Sequence, residues 1–364
     1  MKILHIIDSM DMGGAQSLIV ELAPVQKEFG HEVDVLQLVD SADRTFINKL
    51  EDNGINVFAV SKQRPVRSII NIFSIIPYLK KYELVHVHLF PAQYWAVFAK
   101  ILSVCKTPIV TTEHSTDNYR RKYFFLRYVD SFVYNRYQSI IACSDKAKET
   151  FKEYLKNIDC VSIPNGVNIS KYINAKSYSK ADLLKIPEES FVITMVARFV
   201  PPKRQDVLVR ALTYLPDNYH AVFVGGDNKD EGLALIRKLA KDLLIEHRVH
   251  FLYVRPDVPR ILKSSDVIVM ASDFEGLSLS SIEGMASGHP FVASDVNGLR
   301  EVVEGAGVLV DNGDYKGLAV ELERLCEDKT YCEEVTRRCI ERASQFDIRL
   351  VAKKYLDVYS QLVK

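Results

Sequence analysis

Short runs of consecutive apolar residues alternate along this chain with longer segments in which apolar residues recur at helical spacing. Residues 2–7 form the first apolar run, and the helical pattern after it places Leu18, Ile19 and Leu22 on one face. Apolar runs of this length are typical of strands buried on both faces of a parallel sheet. The alternation predicts an α/β protein with doubly wound, Rossmann-like sheets. The predicted strands are 2–7, 32–38, 57–60, 84–88, 108–112, 139–143, 161–163, 191–197, 221–224, 249–254, 267–270 and 291–294.

The strand and helix pattern is interrupted once, and the interruption predicts two domains. A turn signal at 163–168 is followed by a polar, irregular stretch that reaches Pro187. The length of 364 residues also exceeds the usual size of one domain. The predicted parts are a first domain at 1–168, a linker at 169–188, a second domain at 189–346 and an amphipathic C-terminal helix at 347–364.

Composition narrows the class of protein. The 47 Lys and Arg balance 47 Asp and Glu, which argues against nucleic acid as a partner. The six cysteines include no C-x-x-C pair and no metal-ligand spacing, as in reduced cytoplasmic proteins. Residues 1–7 are too short for a signal peptide, and no apolar stretch reaches the roughly 18 residues of a membrane span. We expect a cytoplasmic protein, either free or peripheral on the inner face of the cell membrane.

One part of the chain departs from this charge balance, the basic region at 62–127. Residues 60–127 contain eleven Lys and Arg against three Asp and Glu, with aromatic residues interleaved. A basic surface with aromatic edges attracts anionic head groups, so one interpretation is a surface that binds an anionic membrane. The alternative is a solvated basic face whose Phe and Tyr residues belong to the core.

The most specific candidate chemistry follows the strand at 267–270. Free N–H groups and the helix dipole make a helix N-terminus a natural anion site. Glu275 and Glu283 lie eight residues apart around this helix start, and carboxylates beside an anion site suit the hydroxyl groups of a sugar. The alternative is a capping role for Glu275 and a solvated helix position for Glu283. The predicted helix start consists of Gly276, Leu277 and Ser278.

A pair of positive residues follows the strand at 191–197. Arg198 and Lys203 lie on one loop at its carboxyl end, where open α/β sheets bind ligands. An Arg fork and a Lys point charge both suit a diphosphate, although ordinary surface charges remain the alternative. Gly225 and Val254 lie at the ends of the next two predicted strands and complete the candidate donor-binding residues.

Histidines are a further candidate for chemistry. His86 and His88 alternate on one strand, so their rings share a face, as a metal pair would require. No third ligand follows at a suitable spacing, so we favour structural or acceptor-site histidines and predict no metal site. His114 lies just past the strand at 108–112, where it is a candidate ligand-binding residue, with a capping or core histidine as the alternative.

These motifs resemble those of the retaining glycosyltransferases of family 4, which have the GT-B fold. The resemblance rests on the E-x7-E spacing followed by Gly-Met-Ala-Ser-Gly-His-Pro at 284–290, and on the Arg and Lys five residues apart. A Gly-Gly loop at 13–14 and Pro-Asn-Gly-Val at 164–167 add to it. The resemblance implies two Rossmann-like domains facing each other across a cleft, with the C-terminal helix crossing back to the first domain.

The resemblance also implies roles for the candidate residues. Glu275 and His114 would contact the donor sugar, Glu283 the ribose, and Gly14 the region of the donor phosphates. Arg198 and Lys203, which lie on the same loop, would both bind the leaving diphosphate.

Four positions depart from the family pattern. Asn168 stands where the family usually has Asp, and Pro202 and Arg204 stand where Glu often precedes and Gly often follows the loop Lys. Tyr253 stands where the family usually has Gly, in the loop whose backbone holds the nucleotide base. The departure at Tyr253 leaves the identity of the base open.

The activity implied by the resemblance is transfer of a hexosyl or N-acetylhexosaminyl group from a nucleotide sugar, expected to be a UDP-sugar, with retention and without metal or other cofactor. The acceptor would be a lipid-linked glycan or an oligosaccharide in bacterial envelope polysaccharide biosynthesis, such as capsule or exopolysaccharide. The absence of a D-x-D loop and of a recognisable nucleophile and base pair agrees with this chemistry. Two alternatives are a nucleotide-sugar epimerase of the same architecture and a non-enzymatic bilobal sugar-binding protein.

Overall fold

A computed structural model describes residues 1–11, 13–114, 123, 125–226, 231–275 and 278–363. The chain divides into two compact units. The first unit contains Met1–Val167 together with the chain from Ile348, and the second contains Asn168–Asp347.

Both units are built from alternating strands and helices. The strands are β1 Lys2–Ile7, β2 Glu32–Val39, β3 Asn56–Ser61, β4 Leu84–His88, β5 Ile109–Glu113, β6 Ser139–Ala142, β7 Val161–Ser162, β8 Phe191–Val196, β9 Tyr219–Val224, β10 Val249–Phe251, β11 Val267–Met270, β12 Phe291–Ser294 and β13 Val308–Val310. The helices are α1 Gly14–Glu28, α2 Thr45–Asp52, α3 Asn71–Leu79, α4 Ala92–Ser103, α5 Leu126–Tyr134, α6 Asp145–Tyr154, α7 Ile169–Ile173, α8 Lys180–Leu184, α9 Gln205–Leu212, α10 Glu231–Asp242, α11 Val258–Lys263, α12 Leu279–Ala286, α13 Arg300–Val303, α14 Tyr315–Glu327, α15 Lys329–Ser344 and α16 Ile348–Ser360.

The first unit has a parallel seven-stranded sheet with the order β3-β2-β1-β4-β5-β6-β7. Helices α3 to α6 cover one face, where Ile75, Val97 and Phe151 belong to one buried cluster. Helices α1, α2 and α16 cover the other face, where Leu18 and Tyr355 belong to a second cluster. Because both faces are covered, every residue of β4 and β5 is buried.

The second unit repeats this plan with a parallel six-stranded sheet, ordered β10-β9-β8-β11-β12-β13. In both units the order reverses beside the first strand, between β1 and β4 and between β8 and β11. Ligands of doubly wound sheets bind at the carboxyl ends of the strands at such a reversal. The loops after β8 and β11 therefore lie where a ligand is expected. Two Rossmann-like parallel sheets confirm the predicted fold class.

The structure shortens one predicted strand and adds one strand that was not predicted. Strand β10 ends at Phe251, three residues before the predicted end, because Tyr253 has a φ of 54° and cannot continue a strand. Strand β13 was not predicted, since it is a three-residue strand at the edge of the sheet with only intermediate burial.

The stretch at 169–188, predicted as an irregular linker, holds two short helices of the second unit. Asn168 caps α7 by accepting a hydrogen bond from the N–H of Lys171, and Ser179 caps α8 by accepting from Asp182. Tyr172 is among the residues that these helices bury. Capping and burial thus order a stretch whose polar composition suggested a linker.

Candidate active site

The loop between β8 and α9 carries Arg198 near its start, and this residue is exposed. Phe199, the next residue, is 2% exposed and packs against the rings of Phe223 and Phe251. The carbonyl of Arg198 accepts a hydrogen bond of 2.9 Å from the side chain of Gln205. The loop is therefore anchored to the core, and a positive side chain projects from the anchored part.

Lys203 of the same loop forms an ion pair with Glu275, although the sequence analysis assigned the two residues to different parts of the donor. Their side chains are only 20% and 10% exposed. The Ser272 hydroxyl donates to the same carboxylate oxygen over 2.6 Å. The N–H of Asp273 donates to the carbonyl of Pro202 over 2.8 Å. These contacts hold the loops after β8 and β11 together at the strand reversal.

Arg204 joins the same two loops through carboxylates that the sequence analysis did not single out. Its guanidinium donates to Asp206 over 2.9 Å and to Asp273 over 2.8 Å. The hydrogen bond that Arg204 donates to Asp206 is the main cause that raises the pKa of Arg204, and the one to Asp273 adds to it. Sequence reasoning missed Ser272, Asp206 and Asp273 because none of them belongs to a motif. Ser272 and Asp273 lie in the loop after β11, and Asp206 lies in the first turn of α9.

Two departures from the family pattern coincide with left-handed backbone. Arg204 has a φ of 49° and Tyr253 a φ of 54°, and both stand where the family has Gly. Glycine is the default residue in this region because it has no Cβ. Both positions therefore keep the backbone conformation expected of a glycine, although each residue has a Cβ and is strained in that conformation.

Helix α12 begins at the predicted place. The Ser278 hydroxyl accepts a hydrogen bond of 3.3 Å from the N–H of Ser281 and so caps the helix. Glu283 lies in the second turn and is partly buried. The predicted helix-start residues Gly276 and Leu277 lie outside the described residues.

Gly225 follows β9 and has a packing reason to be glycine. Its φ is 146°, and an added Cβ would lie 2.1 Å from the carbonyl oxygen of Ala197. Its N–H donates to the carbonyl of Tyr253 over 2.8 Å. Val254 is 62% exposed in the loop after β10. Gly225 thus brings the ends of β8, β9 and β10 close together and leaves Val254 accessible.

A cavity of about 640 Å³ opens in the second unit beside the loop after β8. Arg198, Arg204 and Asp206 contribute charged groups to its wall, while Leu235 and Ile236 of α10 contribute apolar ones. The arrangement offers both a charged and an apolar surface next to the predicted diphosphate residues.

The first unit holds the two other predicted donor residues. Gly14 is the first residue of α1, and an added Cβ there would meet nothing within 4 Å. His114 follows β5, at the carboxyl end of the strand. Packing among the described residues therefore gives no reason for glycine at position 14.

His114 belongs to a connected group of side chains under the sheet edge. Its Nε2 lies 3.0 Å from Nδ1 of His88, whose Nε2 lies 3.0 Å from Nδ1 of His5. The Nε2 of His5 lies 2.9 Å from Oε1 of Gln26. His86, on the same strand as His88, instead contacts Thr112 and Tyr359 over 2.8 and 2.6 Å. His86 and His88 thus make contacts with different partners, although they lie on the same strand.

These histidines are neutral at physiological pH. Burial lowers the pKa of His5 and of His114 to about 4. Burial is also the main cause that holds the pKa of His86 and of His88 well below the usual value. Each ring therefore has one N–H donor and one nitrogen acceptor.

The third histidine that the sequence analysis lacked comes from the neighbouring strand. His5 on β1 pairs in register with His86 on β4, and one nitrogen from each of His5, His86 and His88 lies within 4.8 Å of the others. The signal is a strand pairing between distant parts of the chain, which spacing along one strand does not reveal.

Several exposed apolar side chains lie on or directly before helices α3, α4 and α5, which begin within the predicted basic region. We call these residues the α3–α5 surface. Arg136 lies over the Phe132 ring at 4.7 Å, so cations and aromatic rings are interleaved there. In the described part of the chain, no helix combines the length and apolar composition needed to span a bilayer. The members of the α3–α5 surface are Ile69, Ile70, Phe73, Ile101, Leu102, Phe125, Tyr128 and Phe132.

Comparison with known families identifies the class of protein. Residues 12–171 match the model described as Glycosyltransferase Family 4, and residues 179–346 match the model described as Glycosyl transferases group 1. The two matches together span nearly the whole chain. The chain belongs to the family 4 type of glycosyltransferases, as its motifs predicted.

Individual relatives are distant. A UDP-Gal:alpha-D-GlcNAc-diphosphoundecaprenol alpha-1,3-galactosyltransferase of Escherichia coli is 27% identical over 93% of this chain and 88% of that protein. An N-acetyl-alpha-D-glucosaminyl L-malate synthase of Bacillus anthracis is 26% identical over 97% of this chain and 95% of that protein. The Anabaena protein HepE, solved in complex with UDP, superposes with a TM-score of 0.84 at 24% identity over 99% of this chain and 100% of that chain. The chain is thus an enzyme of the GT-B fold class.

Proposed function

We propose that this glycosyltransferase moves a hexosyl or N-acetylhexosaminyl group from a UDP-sugar to an acceptor hydroxyl with retention of configuration. The observation that carries the proposal is the position of Lys203, Glu275 and Arg198 on two joined loops at the strand reversal of the second unit. The UDP part is supported by the E. coli relative, whose donor is UDP-Gal.

Positive charge on the β8–α9 loop suits the leaving group. As the bond between the sugar and the diphosphate breaks, negative charge grows on the phosphate oxygens, and Arg198 and Lys203 stabilise it. Glu275 accepts hydrogen bonds from sugar hydroxyls, and Glu283 accepts them from the ribose. In this assignment Lys203 exchanges its contact with Glu275 for one with the diphosphate when the donor binds.

Retention follows from attack on the face that the diphosphate leaves. The acceptor oxygen forms a bond to the sugar C1 while the bond from C1 to the phosphate oxygen breaks. The acceptor proton passes to the leaving phosphate, so the step needs no protein base. The roles of His114 and Gly14 in donor binding remain predictions, and the open space at Gly14 is compatible with close approach of a phosphate.

We further propose that the reaction needs no metal, because two protein cations provide the charge that a divalent ion would otherwise supply. The test is release of nucleoside diphosphate from a panel of UDP-sugars and GDP-sugars, with acceptor and with EDTA present. We expect turnover with a UDP-sugar in EDTA and loss of most turnover in Glu275→Ala. Turnover that requires added Mn²⁺ or Mg²⁺ would contradict metal independence, and conversion of the donor without acceptor would indicate an epimerase.

We propose a lipid-linked glycan as the acceptor, in envelope polysaccharide biosynthesis at the inner face of the membrane. The α3–α5 surface supports this proposal because exposed apolar residues beside cations suit an anionic bilayer. The E. coli relative acts on a diphosphoundecaprenol-linked sugar, whereas the B. anthracis relative is an N-acetyl-alpha-D-glucosaminyl L-malate synthase, whose name implies a small-molecule acceptor. Parallel assays with a sugar-diphosphate polyprenol and with malate separate the two acceptor classes.

Vesicle flotation tests the membrane part. Phe73 of the α3–α5 surface and Val320 of the second unit are both 63% exposed, so they form a matched pair. We expect flotation with anionic vesicles that Phe73→Ser weakens and Val320→Ser does not. Equal flotation with neutral and anionic vesicles, or equal effects of the two variants, would count against the proposed surface.

A further inference from the structure

Three side chains link His114 to the interior of the first unit in one unbranched chain. The contacts run from His114 to His88, from His88 to His5 and from His5 to Gln26, over 3.0, 3.0 and 2.9 Å. His5, His88 and Gln26 have no exposed surface. Water therefore does not compete for these hydrogen bonds.

The chemistry of neutral imidazole makes the proton positions along this chain interdependent. A neutral ring donates from one nitrogen and accepts at the other, so fixing one end fixes every proton along the chain. At the inner end, Oε1 of Gln26 can only accept, so Nε2 of His5 must donate. Nδ1 of His5 then accepts from Nε2 of His88, and Nδ1 of His88 accepts from Nε2 of His114.

The orientation of the Gln26 amide sets the direction of the proton positions. Its Oε1 is the atom that lies 2.9 Å from Nε2 of His5, whereas its Nε2 is buried and has no hydrogen-bond partner among the residues that the structure describes. The opposite orientation would place an N–H donor against Nε2 of His5 and reverse every proton position along the histidines.

At the outer end of the chain one acceptor is left over. Nδ1 of His114 is shielded from solvent and has no hydrogen-bond partner among the residues that the structure describes. A shielded acceptor without a partner is unfavourable, and a ligand hydroxyl would satisfy it.

We propose that Gln26, His5 and His88 hold His114 in the tautomer protonated at Nε2, so that its Nδ1 accepts a hydrogen bond from a hydroxyl of the sugar substrate. The proposal rests on the proposed function only for the identity of the ligand. His88, His5 and Gln26 are positioning residues in this account, since they act through His114.

A metal site is the competing interpretation of the same histidines. Zinc would need a lone pair from each ring aimed at one point about 2.0–2.1 Å away. Instead both nitrogens of His5, His86 and His88 lie within hydrogen-bond distance of a neighbouring side chain. The hydrogen-bonded chain uses the nitrogens that a metal would require.

The wild-type protein gives the direct test, independent of turnover. Long-range ¹H–¹⁵N NMR of the histidine rings distinguishes a protonated from an unprotonated nitrogen, and His114→Gln assigns the signals. We expect His114 to carry its proton on Nε2 with Nδ1 unprotonated. A proton on Nδ1, or one tightly bound Zn²⁺ per chain that EDTA removes with a change in these signals, would overturn the proposal.

Kinetics then separate positioning from general structural support. His86 is the matched control for His88, because both are fully buried on β4 but the hydrogen bonds of His86 go to Thr112 and Tyr359 and not directly to His114, His88, His5 or Gln26. We expect His88→Leu to lower kcat/KM for the UDP-sugar about tenfold or more and to mix the His114 tautomers, with inhibition by UDP unchanged. His86→Leu should leave the His114 tautomer as in the wild type. Equal loss of UDP inhibition and of kcat/KM in His88→Leu would indicate a structural role only.

The two proposals fail separately. If no sugar is transferred but the His114 tautomer is as stated, the proposed function fails and the histidine chain stands. If sugar is transferred while Nδ1 of His114 carries the proton, the proposed function stands and the proposed role of the histidines fails.

Discussion

Single residues in the loops after β8, β9 and β10 set the backbone geometry of the candidate active site. Gly225, Arg204 and Tyr253 all have positive φ angles. The first is a glycine because a neighbouring carbonyl leaves no room for a side chain, whereas the other two carry side chains. A positive φ angle thus occurs both where a side chain is excluded, at Gly225, and where one is present, at Arg204 and Tyr253.

Replacement of Gly225 tests the close approach of β8 and β9. We expect Gly225→Ala to lower the free energy of unfolding by more than about 2 kcal/mol, because backbone must move to admit the Cβ. Gly305→Ala is the control, since Gly305 also has a positive φ, of 75°, but nothing within 4 Å of an added Cβ. Gly305→Ala should lower the free energy of unfolding only by the roughly 1–2 kcal/mol that a left-handed backbone costs a residue with a Cβ. Calorimetric unfolding measures both, and equal losses would rule out the close approach.

A variant of Tyr253 tests the left-handed backbone by introducing a glycine, whereas the Gly225 variant removes one. Tyr253→Gly should be neutral or stabilise by up to about 1 kcal/mol, because relief of left-handed strain outweighs the greater entropy that glycine gains in the unfolded chain. Val254→Gly, at a neighbouring exposed position without positive φ, should destabilise by roughly 0.5–1 kcal/mol. A larger loss in Tyr253→Gly than in Val254→Gly, seen in the same calorimetric experiment, would contradict the assigned conformation.

At the scale of elements, α16 completes the core of the first unit. Its buried residues Val351, Tyr355 and Tyr359 follow helical spacing, and Gly166 leaves room for the helix, since an added Cβ would lie 2.9 Å from Val351. The Tyr359 hydroxyl lies 2.6 Å from Nδ1 of His86. The helix therefore contributes a polar contact as well as apolar burial.

Tyr359→Phe isolates that polar contact. Because the change leaves a buried nitrogen of His86 without a partner, we expect a loss of about 1–3 kcal/mol in unfolding free energy. Tyr355→Phe is the control, because its hydroxyl makes only a 3.5 Å contact with Thr112 and its loss should be smaller. Trp95, the single tryptophan of the chain, lies on α4 and reports unfolding of the first unit by fluorescence. A larger effect of Tyr355→Phe would exclude the contact with His86 as the main one.

Elements with a strong local pattern could be predicted from the sequence. The strand at 267–270, the helix start at Ser278 and the C-terminal helix each follow from consecutive residues. The prediction of an irregular conformation at 169–188 was wrong because two capping side chains order short helices in a polar stretch. The His5 and Gln26 contacts and the pairing of Lys203 with Glu275 depend on which strands become neighbours, and no local pattern encodes that.

The buried histidines make the stability of the whole first unit depend on pH. The folded pKa values of His5 and His114 are about 4, and those of His86 and His88 also lie well below the unfolded value near 6.5. Between these values the unfolded chain binds more protons than the folded one, so stability is fully present above about pH 6.5 and falls as pH is lowered towards 4.

Each of the four histidines should contribute a slope of about 1.4 kcal/mol per pH unit within that window. Denaturant unfolding followed by Trp95 fluorescence from pH 7 to pH 4.5 measures the slope, and His86→Leu should reduce it by one such contribution. Stability of the first unit that stays constant over this range would mean that the histidines are not buried as described.

The donor chemistry assigned to the whole molecule depends on Lys203. Lys180 provides a matched control, because its ion pair with Asp266 is also partly buried in the second unit but lies at the amino ends of β8 and β11. The decisive measurement is kcat/KM for UDP-sugar turnover in Lys203→Ala and Lys180→Ala. Loss of a cation that stabilises the leaving diphosphate, worth about 3 kcal/mol, predicts a roughly hundredfold fall for Lys203→Ala and less than about twofold for Lys180→Ala. Equal values for the two variants would contradict the account.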